Sequence, residues 1–240
     1  MSGLCTKALG ISLCATMIWA SPHAISAQDT ELLKPFTATY EIDWDGSISL
    51  SGKTIRSLQQ NEDKNWLFES KASAMFASIY ESSLFDWSAK DLQPIKYTFK
   101  RSVLGKKRHA EVEFDWSKLS VTNQVENKPW QMDIKAGVQD KISYQLLLQQ
   151  EIALGKTEFN YSVADGGHLK EYLFKVDGNE QIKAPIGTFE AIRVKRVRKE
   201  GSDRQTYIWF APELNYQIIK LYQIEKKGKE YTLLLKSLEQ

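Results

Sequence analysis

Sulfur chemistry is almost absent from this 240-residue sequence, whose two cysteines are Cys5 and Cys14. Both lie in a leader, residues 1–27, that has the layout of a secretory signal peptide. We expect the leader to be cleaved on export and residues 28–240 to form a single β-rich domain in the periplasm. That domain would contain no thiol, which excludes disulfides, cysteine nucleophiles and cysteine-bound metals, so its stability must come from a hydrophobic core.

The order of residue types in the leader supports export. Lys7 gives a positive start, Ala8–Ala20 form an apolar run too short to span a bilayer, and Ala27 is a small residue at the expected cut. Cys14 follows Leu13, whereas a lipid-anchored precursor has small residues directly before its cysteine. No later apolar run is long enough to span a bilayer, so we expect no stable membrane anchor. The alternative is a leader that stays uncleaved as an anchor.

Motifs for catalysis are also missing. Beyond the leader the histidines are His109 and His168, and neither has further ligands at the spacing that a zinc site needs. No nucleophile elbow or phosphate-binding glycine loop occurs. The nearest carboxylate cluster, Glu111, Glu113 and Asp115, lies along one strand face, whereas glycosidase carboxylates face each other across a substrate. We therefore expect no metal, no cofactor and no enzymatic activity, and we rank a hydrolase last.

Neither sign of charge is in excess. After removal of the leader, 31 basic residues balance 30 acidic ones, which argues against nucleic-acid binding. Basic residues nevertheless cluster along the chain, and we predict that four of them contact anionic headgroups or a membrane surface: Arg101, Lys106, Lys107 and Arg108. The alternative is an ordinary solvated hairpin.

Apolar and polar residues alternate with a period of two over most of the chain, as is typical of half-buried antiparallel strands. This pattern predicts a mainly all-β protein with a strongly curved antiparallel sheet or an incomplete β-barrel. Turn residues such as Asp177-Gly178 separate the segments. The predicted strands are Phe36–Ile42, Trp66–Ala72, Ile95–Ser102, Lys107–Trp116, Ser120–Val125, Thr157–Val163, Lys170–Val176, Ala191–Val197, Gln205–Phe210, Gln217–Ile224 and Tyr231–Leu238.

One segment, about 140–154, has the features of an inserted α-helix. It opens on an N-cap candidate, Asp140, and ends before Gly155. Its apolar residues are not confined to one stripe, so we expect more than one side of the helix to be covered. A second candidate, Ala74–Glu81, fits either a short helix or a bulged strand.

From about Phe36 to its end, the chain resembles the bacterial exported family catalogued as domain of unknown function 3108. The residues that carry the resemblance are Pro94, Tyr97, Arg101, Phe114-Asp115-Trp116, Asp140, Leu146-Leu147-Leu148, Gly155, Phe159, Glu180, Ala184-Pro185-Ile186-Gly187-Thr188-Phe189 and Ile208-Trp209-Phe210-Ala211-Pro212. It departs from the family at Tyr216-Gln217-Ile218, which lacks a proline before the strand. The resemblance implies an exported β domain and no known activity. A looser similarity in element order is to periplasmic lipid and lipoprotein carriers, which is fold-level analogy.

Aromatic residues are abundant, and a curved sheet with a helix at its mouth leaves apolar space for a ligand. We therefore expect a non-enzymatic periplasmic protein that binds a hydrophobic or amphiphilic, lipid-like ligand in a cavity of the sheet. The alternative is a cell-envelope scaffold that binds a protein partner and no small molecule. The predicted lining residues are Phe76, Ile79 and Tyr80 at the entrance, Leu147 and Leu148 on the helix, and Trp209 in the wall.

Overall fold

The structure is a computed structural model that describes residues 33–45, 50–87, 91–123, 129–225 and 228–240. The predicted signal peptide, with both cysteines, lies outside the described residues. Within them the fold consists of fourteen strands and one α-helix: β1 (Phe36–Asp45), β2 (Leu50–Gln60), β3 (Trp66–Ala74), β4 (Ala77–Asp86), β5 (Gln93–Val103), β6 (Lys106–Asp115), β7 (Ser120–Asn123), β8 (Trp130–Asp133), α1 (Tyr144–Ala153), β9 (Glu158–Ala164), β10 (Leu169–Ala184), β11 (Gly187–Val197), β12 (Gln205–Ala211), β13 (Gln217–Ile224) and β14 (Glu230–Glu239).

All fourteen strands belong to one antiparallel sheet, in the order β8-β7-β6-β5-β4-β3-β2-β1-β14-β13-β12-β11-β10-β9. The sheet is therefore two meanders, β1–β8 and β9–β14, joined where β1 pairs with β14. The sheet does not close into a barrel, although Gln139, which follows β8, forms a parallel bridge to Val163 of β9. This architecture confirms the predicted mainly all-β fold with a curved antiparallel sheet and one inserted helix.

Alternation of residue types explains why the sheet has a buried face and a solvated face. In β6, Val112 and Phe114 are buried, whereas Glu113 is exposed. In β2, Arg56 and Leu58 are buried, whereas Lys53 is exposed. The buried side chains of both meanders form a single hydrophobic cluster. We call the face opposite this cluster the outer face.

The helix lies against the core side of the sheet and is covered on several sides, as predicted. Its buried residues are Tyr144, Leu146, Leu148, Gln150 and Ile152. Residues two apart on an α-helix point about 200° apart, so burial at this spacing requires neighbours on opposite sides. Contacts to both meanders meet that requirement. The Arg56 guanidinium of β2 donates to the Gln145 amide oxygen at 2.5 Å, and the Tyr144 ring stacks on Phe174 of β10 at 5.6 Å.

The helix begins four residues later than predicted. Asp140 does act as a cap, but of the turn that precedes the helix: its Oδ1 accepts the N–H groups of Ile142 and Ser143, each at 2.8 Å. At the other end Gly155 has φ +82°, a left-handed conformation that glycine adopts freely.

Two further expectations are corrected. Ala74–Glu81 contains no helix, because β3 ends at Ala74 and a turn at Met75-Phe76 leads directly into β4. Asp177-Gly178 is not a turn between strands, since β10 continues through a β-bulge there. The sequence pattern does not predict β2 or β8, and it predicts β4 only through the strand alternative for Ala74–Glu81. The segment predicted to end at Val125 is described as a strand through Asn123, and Val125 lies outside the described residues.

Candidate functional site

The six predicted lining residues do not come together. Leu148 is fully buried in the core and Leu147 is partly buried against it. Trp209 is 5% exposed; its indole N–H donates to the Glu180 carboxylate, and the Lys220 ammonium lies 4.5 Å from its ring centroid. Phe76, Ile79 and Tyr80 instead belong to the β3–β4 hairpin, at the free end of β2–β6. The interior space at Tyr97, Phe99 and Trp130 measures about 130 Å³.

At this free end the sheet brings the predicted entrance residues to the predicted headgroup residues. An open groove of about 680 Å³ crosses β2 to β6, and Ile79, Tyr80, Arg101, Lys107 and Arg108 all border it. Ligand sites commonly have volumes of roughly 300–1,000 Å³. We call this feature the basic groove. Its complete lining is Lys53, Ile55, Lys71, Ala72, Ser73, Ser78, Ile79, Tyr80, Lys100, Arg101, Ser102, Lys107, Arg108 and His109.

The first row of the groove crosses five strands and places three hydroxyls between two cations. Lys53, Ser73, Ser78, Ser102 and Lys107 are successive partners in the β2–β6 register. Directly paired residues share a face of the sheet, so all five side chains project from the outer face. The three serine hydroxyls donate to no other described residue. They are therefore available to an acceptor placed between the two lysines.

The second row lies two residues further along each strand and so projects from the same face. It consists of Ile55, Lys71, Tyr80, Lys100 and His109, again as successive register partners. The ammonium groups of Lys71 and Lys100 lie 5.7 and 5.8 Å from the centroid of the Tyr80 ring. This aromatic ring gives the row an apolar centre between two cations, and Ile55 is a second apolar residue at the end of the row.

Acidic groups bound the groove on the side away from the hairpin tips. Glu69 accepts from the Tyr80 hydroxyl at 2.9 Å and pairs with Lys71 at 3.1 Å. Desolvation, reinforced by the Glu69 carboxylate, raises the pKa of Tyr80, so the phenol stays protonated. In the part of the chain that the structure describes, no carboxylate lies within 4 Å of the cationic groups of Lys53, Lys100 or Lys107.

The predicted headgroup residues divide between the two faces. Arg101 pairs with Ile79 on one side and with Arg108 on the other, one residue out of step with the second row. Alternation therefore points their side chains to the face opposite the lysines, and they border the groove from its edge. Lys106 lies at the start of β6 beside the turn and is exposed.

A second depression, of about 770 Å³, surrounds the β3–β4 turn and shares Lys53, Ser73, Ser78 and Ser102 with the basic groove. Its far wall is formed by Met75 and Phe76. The two depressions thus run from a polar, cationic floor to an apolar turn.

The carboxylates considered for catalysis are held in ion pairs. Glu111 and Glu113 lie 3.0 and 3.6 Å from the Lys96 ammonium, and Asp115 lies 2.6 Å from Lys118. The hydrogen bond from Lys96 lowers the pKa of Glu111, whereas a general acid needs a raised pKa. Among the described residues, no group of three or more metal-ligating side chains occurs. No helix in the described ranges has the length and apolar character needed to cross a membrane.

Sequence reasoning missed much of the groove, notably Lys53, Lys71 and the serines. The available signal was the alternation of lysine and serine at every second position. Only the register reveals that these positions become neighbours across five strands.

Comparison with known proteins gives a family and a fold. The family model described as "Protein of unknown function (DUF3108)" matches residues 37–236. The fold is similar to that of a "Beta-barrel-like Protein of Domain of Unknown Function DUF1849" from Brucella abortus, with 10% identity, 86% of this chain and 98% of that chain covered, and a TM-score of 0.56. A "putative lipoprotein" from Parabacteroides distasonis aligns at 11% identity over 87% of this chain and 96% of that one, with a TM-score of 0.34. No curated protein matches the chain.

Proposed function

The chain belongs to the DUF3108 family, whose function is unknown, and we propose that it is an exported, non-enzymatic protein that binds an anionic amphiphile in the basic groove. The observation that carries the proposal is the pair of cross-strand rows in which lysines flank free serine hydroxyls and the Tyr80 ring.

The first row suits an anionic head such as a phosphate. Neighbouring strands lie about 4.8 Å apart, so Ser73, Ser78 and Ser102 present three hydroxyls over about 10 Å. Hydrogen bonds to a charged acceptor are roughly twice as strong as neutral ones, and Lys53 and Lys107 add charge at both ends of the row. An anion bound in this row would accept hydrogen bonds from the three hydroxyls and from the two lysines, in place of the water that solvates these five groups.

The second row suits the apolar part of the same ligand. Ile55 and the Tyr80 ring lie directly beside the first row, and beyond the other side of that row Met75 and Phe76 line the adjoining depression. The outer groove therefore has both halves of an amphiphile site. On the core side, α1 packs into the hydrophobic cluster, and the pocket bordered by Tyr97, Phe99 and Trp130 measures about 130 Å³. We therefore place the ligand in the larger outer groove and not in the interior cavity expected from the sequence.

Titration calorimetry with monomeric dodecyl phosphate, below its critical micelle concentration, tests the proposal. We expect binding that weakens with added salt, and much weaker binding of inorganic phosphate and of the neutral dodecyl maltoside. The double variant Lys100→Gln/Lys107→Gln removes two cations that make no ion pair with any described residue, and we expect its affinity to fall by about tenfold or more.

The matched control is Lys175→Gln/Lys183→Gln, which removes two exposed charges from β10, outside the groove. It should bind dodecyl phosphate as the wild type does. Equal losses in the two double variants would reject the groove as the site. Equal binding of dodecyl maltoside would reject recognition of an anionic head. Failure of the wild type to bind dodecyl phosphate at all would reject the amphiphile and leave the envelope-scaffold alternative.

A further inference from the structure

Two hairpin turns at the free end of β3–β6 expose large apolar side chains next to each other. Met75 is 82% exposed, Phe76 69% and Leu104 75%, the three highest values among the exposed large hydrophobic residues. We call Met75, Phe76 and Leu104 the apolar tip. Scattered exposed apolar residues are normal, but an exposed cluster rimmed by polar groups is typical of an interaction surface.

The two turns are held together as one unit. The Leu104 N–H donates to the Phe76 carbonyl oxygen at 3.0 Å, and Ala77 pairs with Val103 where β4 meets β5. The apolar tip is thus a fixed projection of the sheet and not two independent loops.

The apolar tip also occupies strained backbone positions. Met75 has φ +26° and Leu104 has φ +49°, a region that L-residues other than asparagine and glycine rarely adopt. Short hairpin turns favour Asn-Gly for this reason. A large apolar side chain at such a position improves neither the turn nor the core, and strain of this kind collects at functional sites.

Every charged residue close to the apolar tip on these strands is basic. Between residues 70 and 80 the only charge is Lys71, and between residues 100 and 109 the charges are all lysine or arginine. The nearest carboxylates on β3, β4 and β6 are Glu69, Glu81 and Glu111, each at least five residues along the chain from the turn of its hairpin. The chain as a whole has a formal charge of only +2, so this excess of positive charge is local to the segments around the two turns.

These features together favour a lipid surface as the occupant. A second copy of the chain would place like charges against each other, which is unfavourable. An anionic bilayer offers phosphates to the cations and an acyl boundary within about 5–10 Å of its surface, a depth that a narrow projection reaches. Lysine and arginine stems extend along apolar surface and keep their charges among the headgroups.

We propose that this end of the sheet docks reversibly on an anionic lipid bilayer, with Met75, Phe76 and Leu104 entering the acyl boundary and the surrounding lysines and arginines on the lipid phosphates. The proposal shares cations with the basic groove but requires no ligand in it. Docking would bring the groove to the surface on which anionic amphiphiles are found.

Cosedimentation of the full chain with large unilamellar vesicles tests docking. We expect binding to vesicles of phosphatidylcholine mixed with phosphatidylglycerol, little binding to phosphatidylcholine alone, and loss of binding as salt increases. The variant Phe76→Ser/Leu104→Ser should bind mixed vesicles about tenfold less. The matched control, Leu154→Ser/Leu169→Ser, removes two exposed leucines outside the apolar tip and should bind as the wild type does.

A spectroscopic readout measures insertion directly. In Phe76→Trp, the added indole should be quenched by brominated acyl chains in mixed vesicles, beyond any quenching of the wild type. Three results would each overturn docking. They are no added quenching in Phe76→Trp, binding that does not depend on lipid charge, and equal binding of mixed vesicles by the tip and control variants. Leu104 lines neither depression, so Leu104→Ser should weaken docking and still bind dodecyl phosphate in solution, which separates loss of docking from loss of the groove ligand.

Discussion

At the scale of single residues, the three acidic side chains among the family-like positions, Asp115, Asp140 and Glu180, have structural contacts. Glu180 accepts from the Trp209 indole and from Arg193, which joins β10, β11 and β12. Asp140 is fully buried where the chain enters α1, and its Oδ2 accepts from the Ser83 hydroxyl at 2.5 Å. The resemblance therefore marks residues that hold the fold, whereas the basic groove contains Arg101 as the one residue shared with it.

Asp140 makes stability depend on pH. Burial raises its pKa from 3.8 to about 6, although hydrogen bonds from Ser83, Ile142 and Ser143 act in the opposite direction. Between about pH 4 and 6 the folded protein holds a proton that the unfolded chain has lost, so the free energy of unfolding falls as pH rises through this window. A difference of about two pKa units corresponds to roughly 3 kcal/mol at most.

The variant Asp140→Asn should remove this dependence. The amide oxygen still accepts from Ile142 and Ser143, and the amide nitrogen can donate to Ser83, but the group no longer titrates. Urea unfolding at several pH values between 4 and 7 measures the difference between wild type and variant, which should shift in favour of the variant as pH rises. A difference that is constant over that range would show that Asp140 does not titrate there.

Gly52 is required by the close approach of β2 to β3 beside the groove. A Cβ at this position would lie 2.5 Å from the Ser73 carbonyl oxygen and 2.9 Å from the Ala74 Cβ. We expect Gly52→Ala to destabilise the protein by about 1–3 kcal/mol, because β3 backbone must move. The neighbouring change Ser51→Ala should cost less than about 0.5 kcal/mol, and chemical denaturation compares the two. Equal effects would contradict the steric explanation.

At the scale of elements, prediction succeeded where alternation was strong. Gln217–Ile224 has the predicted bounds, and α1 lies within the predicted segment. It failed where polar residues fill both faces, as in β2 and β4, since the outer face there is the groove. The turn at Met75-Phe76 carries no glycine or asparagine, so the sequence predicts the first strand, Trp66–Ala72, but leaves Ala74–Glu81 open between a short helix and a bulged strand. The side chains of this hairpin suit a surface role, and for that reason their sequence pattern does not indicate a hairpin.

The β5–β6 turn should show a conflict between stability and docking. Leu104 and Gly105 have φ +49° and +78°, the two positive values that favour Asn-Gly in a short hairpin. We expect Leu104→Asn to raise the free energy of unfolding by about 0.5–1 kcal/mol and to weaken binding to anionic vesicles. Urea denaturation and cosedimentation measure the two effects. A variant that is less stable than the wild type, or that docks equally well, would contradict this reading of the turn.

At the scale of the whole molecule, the sequence could predict a curved antiparallel sheet but not which strands meet. The pairing of β1 with β14 joins the first described strand to the last, and no local pattern specifies a contact at that separation. The same limit applies to the basic groove, which exists only when five strands align in register. The predicted helix at the mouth of the sheet and the many aromatic residues led us to expect an interior cavity. In the structure the helix packs against the core side of the sheet.

The β1–β14 pairing should make the two meanders one cooperative unit. Leu235 of β14 is fully buried, pairs with Tyr40 of β1, and its carbonyl accepts from the Ile186 N–H at 3.2 Å. Leu235→Ala leaves a cavity at this junction and should cost about 2–5 kcal/mol. Native-state hydrogen exchange should then show the same loss of protection in β3 and in β12, because both unfold in one transition. The exposed change Leu173→Ala should cost far less. A loss of hydrogen-exchange protection confined to β12–β14 would show instead that each meander unfolds separately. The β1–β14 junction would then only connect two independently stable halves.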